Sequence, residues 1–479
     1  MSWWSSAAAA AAALALGACT TVGPDFAQPA APTAQGYAMA GDRAAPGVRM
    51  TSEIRQGGAW WRAFGSPQLD GVIREALAGS PTLAEADAVL AKAQAEAAAA
   101  RGGNLPQVDY LAGIERSRIN TSAFGFPGFL SPTVNLYSIG ATVSYDLDLF
   151  GGRRRAVEGG QARAEAEARR ADAAYLSLTG QVALQAVRIA SLRAEIATLK
   201  DIVADDQRRL DSVRSARQVG GATTAAIVGS EAQIAEDLAL LPPVERQLDE
   251  ARHRLALLAG RSPAEWTAPD FDLAGFTPPA EVPVSLPSAL VRGRPDILAA
   301  EADLHAAVAD VGVATAKLYP DITLSAGLTQ TALKPENIFN YASSGWNIGS
   351  DIAGPLFDGG TRRAQRDAAS AEAKAALARY QRTVLGAFVQ VSDLLAALGN
   401  DREAIIAHDR SVAAATKRLR EATTSFELGA GNLISVLDAQ RQLGRVRREA
   451  VVAYGQRYAD LVELYVATAA NPRSPPPAT

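Results

Sequence analysis

The stretch Tyr137-Ser138-Ile139-Gly140-Ala141-Thr142-Val143-Ser144-Tyr145-Asp146-Leu147-Asp148-Leu149-Phe150-Gly151-Gly152 carries an apolar residue at every odd position up to Leu149 and a small or polar one at every even position up to Asp148. A period of two sustained this long is a β-strand with one apolar and one polar face. Such strands match a transmembrane barrel, with lipid on one side and water on the other. For an isolated hairpin, a half-buried strand of a soluble sheet would be the better account. Upstream, Val108, Tyr110, Ala112 and Ile114 alternate with Gln107, Asp109 and Glu115, and residues 119–134, rich in Phe, Gly, Pro and Ser, form a long loop. The spacing predicts strands at 107–118 and 135–149.

Helical patterns flank this hairpin. Trp60 to Leu69 leads into a short helix through Leu77, and a second runs from Ser80-Pro81 to Arg101, with Pro at the start and Gly102-Gly103 after the end. Past Gly151-Gly152, Ala, Arg, Glu, Leu and Gln dominate from 153 to 219. At 1.5 Å per residue one helix of that length approaches roughly 100 Å, which suits a coiled tube better than a globular domain. Gly220-Gly221 breaks it, and a return helix covers 223–258, with a kink or interruption expected at Pro242-Pro243.

The same order then recurs after a Pro-rich connection at 261–287. Arg294-Pro295-Asp296-Ile297-Leu298-Ala299-Ala300-Glu301-Ala302-Asp303 echoes Ser80-Pro81-Thr82-Leu83-Ala84-Glu85-Ala86-Asp87, and Leu318-Tyr319-Pro320 echoes Asn104-Leu105-Pro106. Strands follow at 321–330 and 344–357, the second with Trp346, Ile348, Ile352 and Leu356 on one face. Leu356-Phe357-Asp358-Gly359-Gly360 repeats Leu149-Phe150-Gly151-Gly152, a long helix covers 360–428, Gly429-Ala430-Gly431 breaks it, and a last helix covers 432–468. The chain is thus divided into a leader (1–18), a tether (19–66), two repeats (67–260 and 288–468) joined by 261–287, and a flexible Pro-rich tail (469–479).

Four strands cannot close a barrel, for which about eight is the minimum. The chain must therefore share its barrel with other copies; two, three or four chains would give eight, twelve or sixteen strands. Composition agrees with packed helices: hydrophobic residues make up 48% of the 479 but aromatics only 6%, so Ala and Leu dominate. With 47 basic against 51 acidic residues there is no basic surplus for a phosphate backbone, so nucleic acid is not an expected partner. No run of consecutive apolar residues after the leader reaches the 18 to 20 or so that a spanning helix needs, so any membrane part is expected to be β.

The single cysteine, Cys19, excludes an internal disulfide. It follows an apolar run from Ala7 to Leu16 and the small residues Gly17-Ala18, a lipobox at which Cys19 would receive diacylglycerol and fatty acyl groups. Thr20, in place of Asp, agrees with release to the outer membrane. Met1 to Ser6 contain no Lys or Arg, a departure that leaves a start upstream of Met1 or a weak leader as the two explanations. Extended sequence from Pro24 to Met50 reads as a tether.

Taken together, Cys19 with Val22-Gly23-Pro24-Asp25-Phe26, the segment from Trp60-Trp61 to Leu69, both Leu-Phe-(Asp)-Gly-Gly strand exits and Gly431-Asn432-Leu433-Ile434-Ser435-Val436-Leu437-Asp438-Ala439-Gln440 resemble the outer membrane factor (TolC-like) family, in its NodT/OprM-type lipoprotein branch. The resemblance covers essentially the whole mature chain. It implies a homotrimer: a twelve-stranded outer-membrane β-barrel continued by a periplasmic α-helical barrel, an α+β membrane protein with tandem duplication. The implied role is passive exit duct of a tripartite efflux system, most simply of the RND type, fed by an inner-membrane transporter through a periplasmic adaptor. A duct for type I protein secretion is the alternative the same resemblance allows.

The resemblance also places the breaks at Gly220, Gly221, Gly429 and Gly431 at the periplasmic helix tips, where the family closes its entrance and meets its adaptor. Asp438 matches an acidic aperture position; Ser435, one turn earlier, stands where some members are acidic. Three copies of Asp438 on an axis would form an anionic constriction, with Leu437 or Leu433 adding an apolar one. A simple Asp438–Arg441 pair on one helix face is the plainer account of the residues alone. Set Gly220 against Gly429, and the first copy has Gly229 where the second has Asp438.

Other classes fit less well. His253, His305 and His408 lie in helical stretches without His or Cys at ligand spacing, so neither a metal nor a catalytic site is expected, and no nucleophile motif or phosphate loop is present. A periplasmic adaptor would carry one helical hairpin with soluble β-domains, and a coiled-coil scaffold would need neither lipobox nor alternating strands.

Overall fold

The computed structural model describes residues 21–39, 41, 47–51, 58–125, 127–277, 281–470 and 473. The leader and Cys19 lie outside the described residues. The elements in chain order are β1 (Val48–Thr51), α1 (Pro67–Gly79), α2 (Pro81–Gly102), β2 (Gln107–Arg118), β3 (Thr133–Asp146), α3 (Gly152–Gln218), α4 (Thr224–Ala239), α5 (Leu241–Leu258), β4 (Val282–Ser285), α6 (Pro287–Gly293), α7 (Pro295–Ala316), β5 (Asp321–Ala332), β6 (Ser344–Ala353), α8 (Thr361–Glu427) and α9 (Leu433–Ala467). Both α2 and α7 are 22 residues long, and both α3 and α8 are 67.

Two compact units divide the chain. The first, residues 1–29, 89–167 and 299–380, contains one antiparallel sheet in the order β2-β3-β5-β6. Its registers decide which side chains share a face. Val108 lies opposite Val143, Val143 opposite Ala326, and Ala326 opposite Ile348; Tyr110, Ala141, Leu328 and Trp346 form the next such row. The opposite face carries Asp109, Thr142, Gly327 and Asn347 in one row, with Gln107, Ser144, Ser325 and Gly349 in another. Through these central rows one face is apolar across all four strands and the other polar, while toward the C-terminal end of β2 the first face carries Arg116 and Arg118. The apolar face is bare: Tyr110 is 89% and Trp346 76% exposed.

Where the strands end, carboxylates start the helices. Asp148, with φ of 45°, accepts from the amides of Arg153 (2.8 Å) and Arg154 (2.9 Å). Asp358 accepts from those of Gly360 (2.9 Å) and Arg362 (3.0 Å). These are N-terminal caps satisfying amides that have no partner within the helix. Arg153 then donates to the carbonyl of Gly103 and Arg362 to that of Lys317. Strand β6 consequently stops at Ala353, short of 357, because the chain turns at Gly354-Pro355 toward that cap; β3 stops at Asp146, short of 149, for the same reason.

The segment read as a tether is docked in its first part. The amide of Val22 donates to Phe150 O (3.1 Å), Asp25 pairs with the buried Arg155 (2.5 Å), and Phe26 stacks on His305 at 4.3 Å. His305 in turn bonds Glu158 at 2.9 Å. Gly23, at φ 91°, passes Gly312 so closely that a Cβ would come within 2.6 Å of the Gly312 Cα, so this crossing requires glycine.

The second unit, residues 30–88, 168–298 and 381–479, is helical apart from the parallel pair β1–β4, Val48 opposite Val282. Its aromatic core is a single turn of 3₁₀-helix at Trp60–Phe64: Phe64 is fully buried, Trp60 donates to Thr179 Oγ1 (3.1 Å) and Trp61 to Asp70 (2.9 Å). The return leg, with a kink or interruption expected at Pro242-Pro243, is interrupted: it forms two helices, α4 and α5, meeting at Leu240. Pro242 and Pro243 have no N–H to continue the ladder, so they occupy the start of a new helix instead. Among the described residues one helix, α8, contains an 18-residue window of mean hydropathy 1.3, long and apolar enough by composition to cross a membrane, though only 28% of it is buried in the single chain. Consecutive apolar runs do not reveal it, because Gly386, Gln390, Ser392 and Asp393 interrupt the stretch without lowering its average far.

Candidate functional site

In the second unit, two helical hairpins end in tips of the same construction. After α3 the chain turns at Gly220 (φ 78°), and the Gly221 amide donates to Ala216 O (2.8 Å). After α8 it turns at Gly429 (φ 74°), and the amides of Ala430 and Gly431 donate to Ser425 O (both 2.9 Å). Both are left-handed glycine caps with a six-to-one bond, which satisfies terminal carbonyls and reverses the chain. Three residues after each glycine comes the cap of the return helix: Thr223 accepts from Ala226 N (3.2 Å), and Asn432 from Ser435 N (2.9 Å). Gly220, Gly221, Gly429 and Gly431 are thus brought into two matched turns.

The gate candidates lie in the first turns of α9. The Ser435 hydroxyl donates to Asn432 Oδ1 (2.9 Å), so this side chain is engaged in the cap. Leu433 and Leu437 are half-buried; Leu437 faces Asp206, Arg209, Ser230, Gln233 and Gln440. Asp438 is exposed and pairs with Arg441 at 3.5 Å, an exposed pair worth at most about 1 kcal/mol. Arg441 also donates to Gln233 of α4. The apolar residue exposed beside Asp438 is Ile434, 69% exposed and one helical turn before it. Sequence reasoning passed it over in favour of the two leucines, whose burial follows from the seam position each occupies.

A second cluster was also missed. Asp206 is buried on the apolar seam of α3, in line with Leu199, Ile202, Leu210 and Val213. Burial, followed by the hydrogen bond and charge of Asp237 on α4, pushes its carboxyl up to about 7, with Arg209 opposing and Asp205 adding to the rise. Asp206 therefore keeps its proton up to near neutrality beside Asp237. They border a cavity of about 280 Å³ between α3, α4 and α9, lined also by Glu236, Arg445 and Arg448. Gln440, buried at the same place, has neither amide atom hydrogen bonded among the described residues. In the other hairpin Asp401 of α8 behaves likewise: burial and then Asp460 of α9 push it up to about 7, with Arg457 opposing. An aspartate on an apolar stripe was the available signal. Among the described residues no group of three or more His, Cys, Asp or Glu side chains is arranged to hold a metal ion.

The family model for "Outer membrane efflux protein" matches residues 72–261 and 286–470, and the chain belongs to that family. It is 32% identical over 462 residues to the pyoverdine export outer membrane protein OpmQ of Pseudomonas aeruginosa, covering 95% of this chain and 94% of OpmQ. It is 27% identical over 458 residues to the probable outer membrane lipoprotein SilC of Salmonella typhimurium, covering 94% and 95%. The solved outer-membrane channel OprN superimposes with a TM-score of 0.86 at 26% identity, covering 94% of this chain and 99% of OprN. The protein is an outer-membrane efflux channel component, and its family consists of channel proteins.

Proposed function

We propose that three copies of this chain close a twelve-stranded barrel in the outer membrane, continued by a helical barrel in the periplasm, and form the passive exit duct of a tripartite RND-type efflux system for small molecules. The carrying observation is the four-stranded sheet: its bare apolar face fits lipid, its polar face fits a water-filled lumen, and β2 and β6 stand unpaired at its edges. Unpaired edges are not tolerated in hydrocarbon, where each unsatisfied backbone group costs several kcal/mol. Two tandem repeats, 67–260 and 288–468, account for the equal helix lengths. The apolar surface of α8 is covered in this arrangement by neighbouring helices.

In the same arrangement the matched tips receive substrate from a periplasmic adaptor and an inner-membrane transporter, and Asp438 of α9, with Ile434 beside it, narrows the entrance. Cys19 anchors the chain through diacylglycerol and fatty acyl groups, as the lipobox and the likeness to a probable lipoprotein favour. The export role of OpmQ favours a small organic cargo. Purified protein reconstituted in planar bilayers tests the duct: ion-conducting pores and a hollow particle by electron microscopy are expected, and a solid, non-conducting particle would contradict it. Cys19→Ser is expected to abolish palmitate labelling; persistent labelling would place the lipid elsewhere.

A further inference from the structure

We propose that Arg116 and Arg118, with Asn135 and Thr133 beside them, form a binding site on the outward face of the sheet for a phosphate of lipid A, the phosphorylated glycolipid of the outer leaflet. This rests on the membrane placement of the sheet proposed above and adds a ligand to it.

The two faces of the sheet divide its charges by sign. Along β2, β3, β5 and β6 the registers put Asp109, Glu115, Asp146, Asp321 and Asp351 on the polar face, where the strands carry no basic residue. The opposite face carries Arg116 and Arg118 and no acidic residue. Both arginines are exposed, and among the described residues neither has a hydrogen-bond or ion-pair partner. The loop that follows supplies none, since residues 119–132 include no Asp or Glu. When Gln107 is set on Asp321, the first residues of β2 and β5, the equivalent places in the second repeat are Gln330 and Ala332. The strand therefore forms equally well without the two cations.

A positive charge facing hydrocarbon is costly at the midplane and nearly free at the interface, so its height decides what it can do. Strand β2 enters the sheet from α2, on the side of the periplasmic helices, so its far end beyond Arg118 lies toward the cell exterior. Counted from Val108, the first outward residue of β2, Arg116 lies ~27 Å and Arg118 ~34 Å along the strand. With the strand tilted by roughly 40°, these become ~21 and ~26 Å of height, the upper border of an apolar band about 25 Å tall. Headgroup phosphates of the outer leaflet stand at that border.

The chemistry of the patch selects among headgroups. Two residues apart on one face, the arginines have Cα atoms roughly 6.8 Å apart, close enough for both guanidiniums to close on one phosphate through paired N–H···O bonds. Opposite them on β3 stand Asn135 and Thr133, both exposed, whose amide and hydroxyl suit the hydroxyls of a sugar that carries the phosphate. Below, Ile114 is 77% and Tyr110 89% exposed, an apolar wall for acyl chains. Two cations, two neutral polar groups and that wall match an anionic sugar head mounted on acyl chains; a phospholipid brings the phosphate without the sugar ring.

Native mass spectrometry of the full chain, purified in mild detergent and titrated with diphosphoryl lipid A, tests the site. Saturable loading of one lipid per chain is expected. Arg116→Gln with Arg118→Gln should weaken it by about tenfold or more, and lipid A stripped of its phosphates should bind the unaltered chain as weakly. Equal loading of phosphatidylglycerol would overturn the assignment to lipid A. Unchanged loading of the double variant, in a particle of unaltered mass and conductance, overturns the site and leaves the duct standing. Loss of the oligomer in that variant would show that the arginines serve a contact between copies, and overturns the site as well. A particle that carries neither lipid nor detergent overturns the membrane placement of the sheet, and the site with it.

Discussion

The two helix tips are built alike and equipped differently. Each turns at a left-handed glycine, closes with a six-to-one bond and restarts three residues later on a capping side chain. Beyond the turn they diverge. The second return leg is one unbroken helix of 35 residues with Asp438 exposed in its second turn; the first is broken at Leu240 and has Gly229 at the equivalent place. Packing does not forbid a side chain there, since a Cβ on Gly229 would meet no atom within 4 Å. Backbone chemistry thus sets where the chain reverses, and a few side chains distinguish the two hairpins.

The largest effect expected from that difference is on conductance. Asp438→Ala should raise closed-state ion conductance several-fold in planar bilayers, whereas Gly229→Ala should leave it unchanged; equal responses would erase the functional asymmetry. The next concerns the carboxyl pairs that clasp each hairpin. The folded pKa of Asp206, about 7, lies above an unfolded value near 3.8, so its contribution is fully present below about pH 4 and is lost as pH rises through 7. Asp401 has the same sign. Thermal melting should therefore fall between pH 5 and pH 8, and Asp206→Asn with Asp401→Asn should remove most of that slope; an unchanged slope would contradict the raised carboxyls of Asp206 and Asp401.

The tips themselves should respond equally. Gly220→Ala and Gly429→Ala should each cost about 1–2 kcal/mol, the left-handed penalty for a residue with Cβ. A strongly unequal pair would show that the turns differ after all. Smallest are the caps: Thr223→Ala and Asn432→Ala should each cost about 1 kcal/mol in denaturant melts.

The strands, the breaks at Gly220 and Gly429 and the long helices were legible because period, glycine and length are local properties. What the sequence hid were contacts between distant segments. Val48–Thr51 pairs with Val282–Ser285 across most of the first repeat, and four residues are too few for a period to show. Docking of Val22 to Phe26 depends on Gly23 meeting Gly312, which no local pattern announces. The surroundings of Asp438 were half legible. Asp438 could be singled out, but Ile434 was not, because which of Leu433, Ile434 and Leu437 faces outward depends on where α4 and α3 pack. Asp206 was legible in principle, as a charged residue on an otherwise apolar seam.

Native mass spectrometry of the full chain extracted in mild detergent tests the central claim most directly. Three chains per particle, giving twelve strands, is the expected result; a particle of one, two or four chains would contradict it.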